Sequence, residues 1–143
     1  MASNVCIVDA NDVPVPNAAY NTDTAALSTF TATGASTVNS ADQTNLFGNA
    51  VQVVVDLTTM TTATVTTTIQ GKDAASGKYY TLLAGAAKTS TGTTLMTVGP
   101  GTTAASNVVA NLPLPKIWRV STVIANNSGT AAVTGTIGAS VIV

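Results

Sequence analysis

Histidine and glutamate are absent from this sequence, and charge of either sign is scarce. Only 8% of the residues are charged, where about a quarter is usual for globular chains. The six acids are all aspartates, and the bases are Lys72, Lys78, Lys88, Lys116 and Arg119. Each absence removes a class of chemistry. Without histidine there is no Ser–His–Asp or Cys–His machinery and no His-ligated zinc. Cys6 is the one cysteine, which excludes an intramolecular disulfide framework and cysteine-rich metal centres. Its expected role is that of a small buried side chain. The bases are scattered along the chain, so the footprint of a nucleic-acid binder is missing. No apolar run approaches the roughly 18 residues of a membrane-crossing helix. The opening Met1–Cys6 lacks the basic and apolar regions of a secretory signal, so the expectation is either a protein made and used without Sec export or one whose processed form differs from this sequence.

Aspartate is the acid–base stock that remains. A glycosidase needs two carboxylates at a set separation. Asp9 with Asp12, or Asp56 with Asp73, are pairs that a fold could bring together, and nothing in their spacing points to it. Gly71-Lys72-Asp73-Ala74-Ala75-Ser76-Gly77-Lys78 superficially suggests a phosphate loop. It has five residues between the glycines instead of four, Tyr79 where Ser or Thr must reach magnesium, and a strand on each side. It reads as a polar hairpin connection, with Gly77 supplying an unusual backbone angle. Asp9-Ala10-Asn11-Asp12 lacks the Gly and terminal Glu of a calcium loop and reads as Asx-turn material. Asn126-Asn127-Ser128 fits a glycosylation acceptor, without an export signal to support its use. The expectation is a non-enzymatic chain with no metal and no cofactor.

What fills the sequence is Thr, Ala and Val. Thr and Val are stiff at χ1 and suit a pleated, half-buried surface, whereas the vocabulary of exposed helices is nearly missing. The apolar residues alternate with period two. Val51, Val53, Val55 and Leu57 share one side, with Gln52, Val54 and Asp56 opposite. Ala63, Val65, Thr67 and Ile69 alternate with Thr64, Thr66, Thr68 and Gln70, and 62–84 reads as a hairpin. Leu95–Val98 ends at Gly99-Pro100-Gly101. Further strands are predicted near 106–112, 116–126, 130–137 and 139–143, with Trp118, Val120, Thr122 and Ile124 on one face. Seven or eight short strands at turn spacing predict an all-β, single-domain antiparallel β-sandwich, jelly-roll or immunoglobulin-like. The sandwich is expected over 46–143. Residues 1–45 read either as an extended N-terminal arm or as edge strands of the same sandwich, because Val13-Pro14-Val15-Pro16 must be extended and 21–45 carries few apolar residues.

A surface of Thr, Ser, Ala, Asn and Gln costs little to desolvate, and short side chains lose little rotamer freedom when an interface forms. Such a surface suits permanent packing in an assembly, whereas soluble monomers use mixed charge to stay apart. Low-charge strand edges must also be covered, by an arm added to a neighbour's sheet or by symmetric oligomerisation. The candidate interface residues are therefore Val5, Ile7, Val13, Val15 and Tyr20 in the arm, with the adjacent Tyr79 and Tyr80.

Three segments resemble small structural proteins of tailed bacteriophages: Thr68–Ala84, Leu112–Val120 and Gly135–Val143. Membership would imply a virion protein, a head decoration protein seated on the outer capsid surface and bound to the major capsid protein of the phage head, commonly as a homotrimer, and it would carry no catalytic residue. Competing expectations are a tail-tube, tail-tip or fibre component, and a carbohydrate-binding or adhesin module presenting Tyr79 or Tyr80. No nucleic acid or membrane partner is expected.

Overall fold

The computed structural model describes residues 23–46, 48–126 and 130–142, and among them there is no helix. Ten strands form two sheets: β1 (Asp23–Thr33), β2 (Ser36–Asn39), β3 (Gln43–Thr44), β4 (Ala50–Thr61), β5 (Ala63–Lys72), β6 (Tyr79–Ala84), β7 (Gly92–Val98), β8 (Val109–Ala110), β9 (Ile117–Asn126) and β10 (Ala132–Ile142). The first sheet has the order β1-β10-β4-β7-β8, and the second β2-β9-β5-β6 with β3 also on β9. Every pairing is antiparallel except β7 with β8.

The alternation in the sequence becomes the core directly. Val51, Val53, Val55 and Leu57 of β4 turn inward against Val65 and Ile69 of β5, Val120 and Ile124 of β9, and Val133 and Ile137 of β10. Each such side chain removed from water contributes roughly 1.5–3 kcal/mol. Thr67 and Thr122 also point inward, and their hydroxyls satisfy each other at 3.1 Å. Trp118 is buried at the far end of this row, and its indole N–H has no acceptor among the described residues.

Three pairs of consecutive strands join one sheet to the other at a shared corner. The chain crosses at Gly34 and Ala35 between β1 and β2, at Thr62 alone between β4 and β5, and again between β9 and β10. The ends of β9 and β10 lie between those of the other two pairs, since Ala132 pairs with both Thr33 and Thr61 while Asn126 pairs with Ala63 and Ile124 with Ser36. Gly34 N–H donates to Ala131 O at 2.8 Å, and the Thr62 hydroxyl donates to Thr130 O at 3.0 Å. Thr62 holds a left-handed backbone at φ 47°, a position costly for a β-branched residue. Among the described residues of the passages themselves, 31–37, 57–64, 124–126 and 130–134, none is an acid or a base; the nearest base is Lys88, paired with Val65. The opposite end is built of loops.

Two expectations need correction. The predicted pair of strands at 130–137 and 139–143 is one strand, β10, because Gly138 keeps an extended backbone and its ladder partner Val54. The predicted strand at 106–112 shrinks to Val109–Ala110, held on β7 by a short parallel pairing. The stretch 23–44, expected as arm or edge strands, forms β1 and β2 at the edges of the two sheets, with the short β3. Residues 1–22 lie outside the described residues.

Candidate assembly surfaces

Three surfaces can carry contacts. The first is the loop end, tied together by Asn45. Its backbone N–H donates to Lys116 O at 2.7 Å, its side-chain oxygen accepts from Gly48 N–H at 2.7 Å, and its amide donates to Gly48 O and Leu114 O. Leu114 N–H closes the knot on Asn49 O at 3.2 Å. Around this frame Leu46, Leu112, Ile142 and Tyr80 stand exposed.

On the outer side of the second sheet, near the same end, a polar cluster centres on Tyr79. The pairing of Lys72 with Tyr79 and of Gln70 with Arg119 sets these side chains side by side. Arg119 lies flat over the Tyr79 ring, its guanidinium carbon 3.3 Å from the centroid, while its Nε donates to Gln70 Oε1 at 2.9 Å. Lys72 Nζ sits 5.2 Å from the same centroid and bonds Asp42 at 2.7 Å. The Tyr79 hydroxyl donates to the other Asp42 oxygen, also at 2.7 Å. The Lys72 hydrogen bond, then that of Tyr79, holds the Asp42 carboxyl below the ordinary aspartate range, and Asp42 in turn raises Lys72. Asp73 is lowered by the hydroxyl and backbone N–H of Ser76, a turn that closes through Gly77 at φ 69°.

The outer faces of the two sheets form the other surfaces. On the first sheet, the rows Ser140–Gln52–Thr97, Gly138–Val54–Leu95 and Thr136–Asp56–Thr93 cross β10, β4 and β7. Val54 and Leu95 are exposed there, and the Thr93 hydroxyl donates to Asp56 at 2.9 Å. On the second sheet the rows Thr37–Val123–Thr66 and Asn39–Ser121–Thr68 carry no charge.

The predicted interface residues separate. Tyr79 is half-buried on the outer face and already occupied on one side by Arg119. Tyr80, 46% exposed, lies over Gly71 on the inner side of the strand, so close that a Cβ on Gly71 would meet Tyr80 Cζ at 2.5 Å. Val5, Ile7, Val13, Val15 and Tyr20 lie outside the described residues, as does Cys6. Asp42, Lys72 and Arg119 escaped the sequence reading because strand pairing, not spacing, gathers them. Val54 did leave a signal, as an apolar residue on the polar side of β4. Asp56 and Asp73 are engaged separately, by Thr93 and Ser76. Among the described residues no three acids or cysteines group as a metal site would need. A cavity of about 10 Å³ between the sheets, lined by Val55, Val65, Lys88 and Met96, is hardly enough for one water. No family model, curated protein or solved structure matches the chain.

Proposed function

We propose that this chain is a structural virion protein, a β-sandwich of the jelly-roll or immunoglobulin-like kind. It binds the major capsid protein on the outer surface of a phage head and stabilises the shell as a homo-oligomer. It acts by burying area and pairing strands at subunit junctions, without chemistry. The observation that carries the reading is the scarcity of charge on two broad sheet faces. Where the rows cross β10, β4 and β7, Asp56, already bound by Thr93, is the one charged residue, with Asp23 continuing the Ser140 row onto β1. The second sheet has none until Arg119. Faces of Thr, Ser and Val desolvate cheaply, so they suit lasting contact better than free solution. The resemblance of Thr68–Ala84, Leu112–Val120 and Gly135–Val143 to tailed-phage structural proteins gives the kind of assembly. A sugar platform on Tyr79 has less support, since the Arg119 guanidinium already covers one ring face at 3.3 Å.

Immunogold electron microscopy of particles from the source, with antibody to this chain, tests the proposal. Gold over the heads is the expected result, together with earlier rupture on heating of heads that lack the protein. Gold confined to tails would move the function to tail or fibre assembly. Particles without any label would end the virion reading.

A further inference from the structure

Resting on the assembly reading, we infer that β1 is a docking edge for a second copy of this chain. The two β1 strands pair antiparallel about a two-fold axis at Thr31 and join two first sheets into one. Among the described residues β10 is the one strand paired with β1, so its other side presents unpaired N–H and C=O groups to an incoming strand. It is the longest edge of the sandwich, eleven residues against six in β6, four in β2 and two in β8. The end of β6 is also capped, since Ala84 O accepts from the Asn107 amide at 3.0 Å. β1 carries one protective device, the register shift between Thr24 and Ser28. From Ser28 to Thr33 it runs in regular register, without proline or charge.

That stretch fits itself. Antiparallel pairing sets side chains of one face opposite each other, and an axis at Thr31 places Phe30 against the partner's Ala32 and Thr29 against the partner's Thr33. On the inner side Phe30 already lies over Gly135 of β10, where an added Cβ would stand 3.0 Å from the ring. The one large ring of the row then has a small residue on either side. An axis at Phe30 would set ring against ring, and one at Ala32 would run the pairing into the turn at Gly34, φ 85°. On the outer side the exposed Thr29, Thr31 and Thr33 meet threonines only, a favourable cross-strand pairing. Each contact is reciprocal, as an isologous interface requires.

The junction is also neutral. No residue from Thr24 to Ala41 is charged. Asp23, where the chain enters β1, is eight positions from the axis, so its two copies stand roughly 50 Å apart at about 3.3 Å per residue. Asp56 lies two strands in from β1, through Thr136 and Thr29, which separates its two copies by roughly 24 Å across the strands. Both separations exceed a Debye length of about 8 Å at physiological salt. So short an overlap forms about six inter-strand hydrogen bonds, and the dimer is weak, with a midpoint on the order of tens of micromolar. Its two-fold symmetry differs from the trimer that the phage resemblance implies.

Sedimentation equilibrium of the full chain from about 1 to 300 μM tests this, and the wild type should approach dimer mass. Thr31→Lys and Thr31→Asp put like charges face to face on the axis and should each raise the midpoint at least about fivefold. An equimolar mixture of the two should recover association near that of wild type. Only a residue that meets its own copy gives that rescue, and recovery also shows that both variants fold. Leu95→Lys, exposed on β7 of the same sheet, should leave the midpoint unchanged. A wild type that stays monomeric, the result if residues 1–22 or another protein cover the edge, would overturn the pairing. So would a trimer mass, undiminished association of either Thr31 variant, a mixture as weak as its parts, or equal loss in Leu95→Lys. None of these results touches the virion reading, which stands or falls on particle labelling.

Discussion

Tyr79 is fixed from two directions, by a guanidinium on its face and a carboxylate on its hydroxyl. The carboxylate, Asp42, precedes β3, so the cluster ties the approach to that short strand onto the β5–β6 hairpin. Its pH signature follows from the directions of the shifts. Asp42 and Asp73 titrate below the ordinary aspartate value in the folded chain, so their stabilisation is complete above about pH 4 and is lost as pH falls through their lower folded values. Lys72 titrates above its ordinary value, so its share is complete below about pH 10 and is lost as pH rises through the folded value. With no histidine in the sequence, urea midpoints should be flat from about pH 5 to 9. Asp42→Asn should flatten part of the acid limb and leave the part due to Asp73. A slope centred near pH 6.5 in the wild type would contradict this account.

At the scale of elements, the corner is the feature that alternation could not announce. β4 and β5 are two strands in the register of the sheets and nearly one in the chain, divided by Thr62. A β-branched residue at φ 47° is strained, and its hydroxyl bond to Thr130 offsets only part of the cost. Thr62→Asn, which tolerates the left-handed region, should therefore raise stability by about 1 kcal/mol in urea denaturation. A loss of similar size would mean that the Thr62 hydroxyl matters more than the backbone. At Gly77 the sequence reading and the structure agree, because a polar hairpin connection needed one residue of positive φ and contained one glycine near its end.

Across the whole molecule, the pairings are long-range. β10 sits between β1 and β4, joining Thr33 to Ala132 and Val51 to Val141, so the first sheet is complete only when the last strand arrives. Loop closure over such separations comes before the contacts that reward it, and folding should be slow for the size, in the range of roughly milliseconds to seconds. Stopped-flow refolding followed by Trp118 fluorescence measures this directly; a phase faster than about 100 μs carrying the whole amplitude would be incompatible with that topology. The same arrangement grades the surface: Lys72, Lys78, Lys116 and Arg119 lie toward one end, and threonine-rich strand passages lie at the other, where Lys88 pairs with Val65.

The sequence by itself determined that the chain is β throughout its described length, which side of β4, β5 and β9 is buried, and where the β5–β6 hairpin turns. Those properties are local, since period-two alternation and turn residues act over a few neighbours. Tertiary structure alone decided that three strand pairs share one corner, that Asp42, Lys72, Tyr79 and Arg119 meet, and that Gly138 stands beside Val54. Each of these depends on which strand pairs with which and in what register, and residues dozens of positions apart carry no mark of that choice until the sheets form.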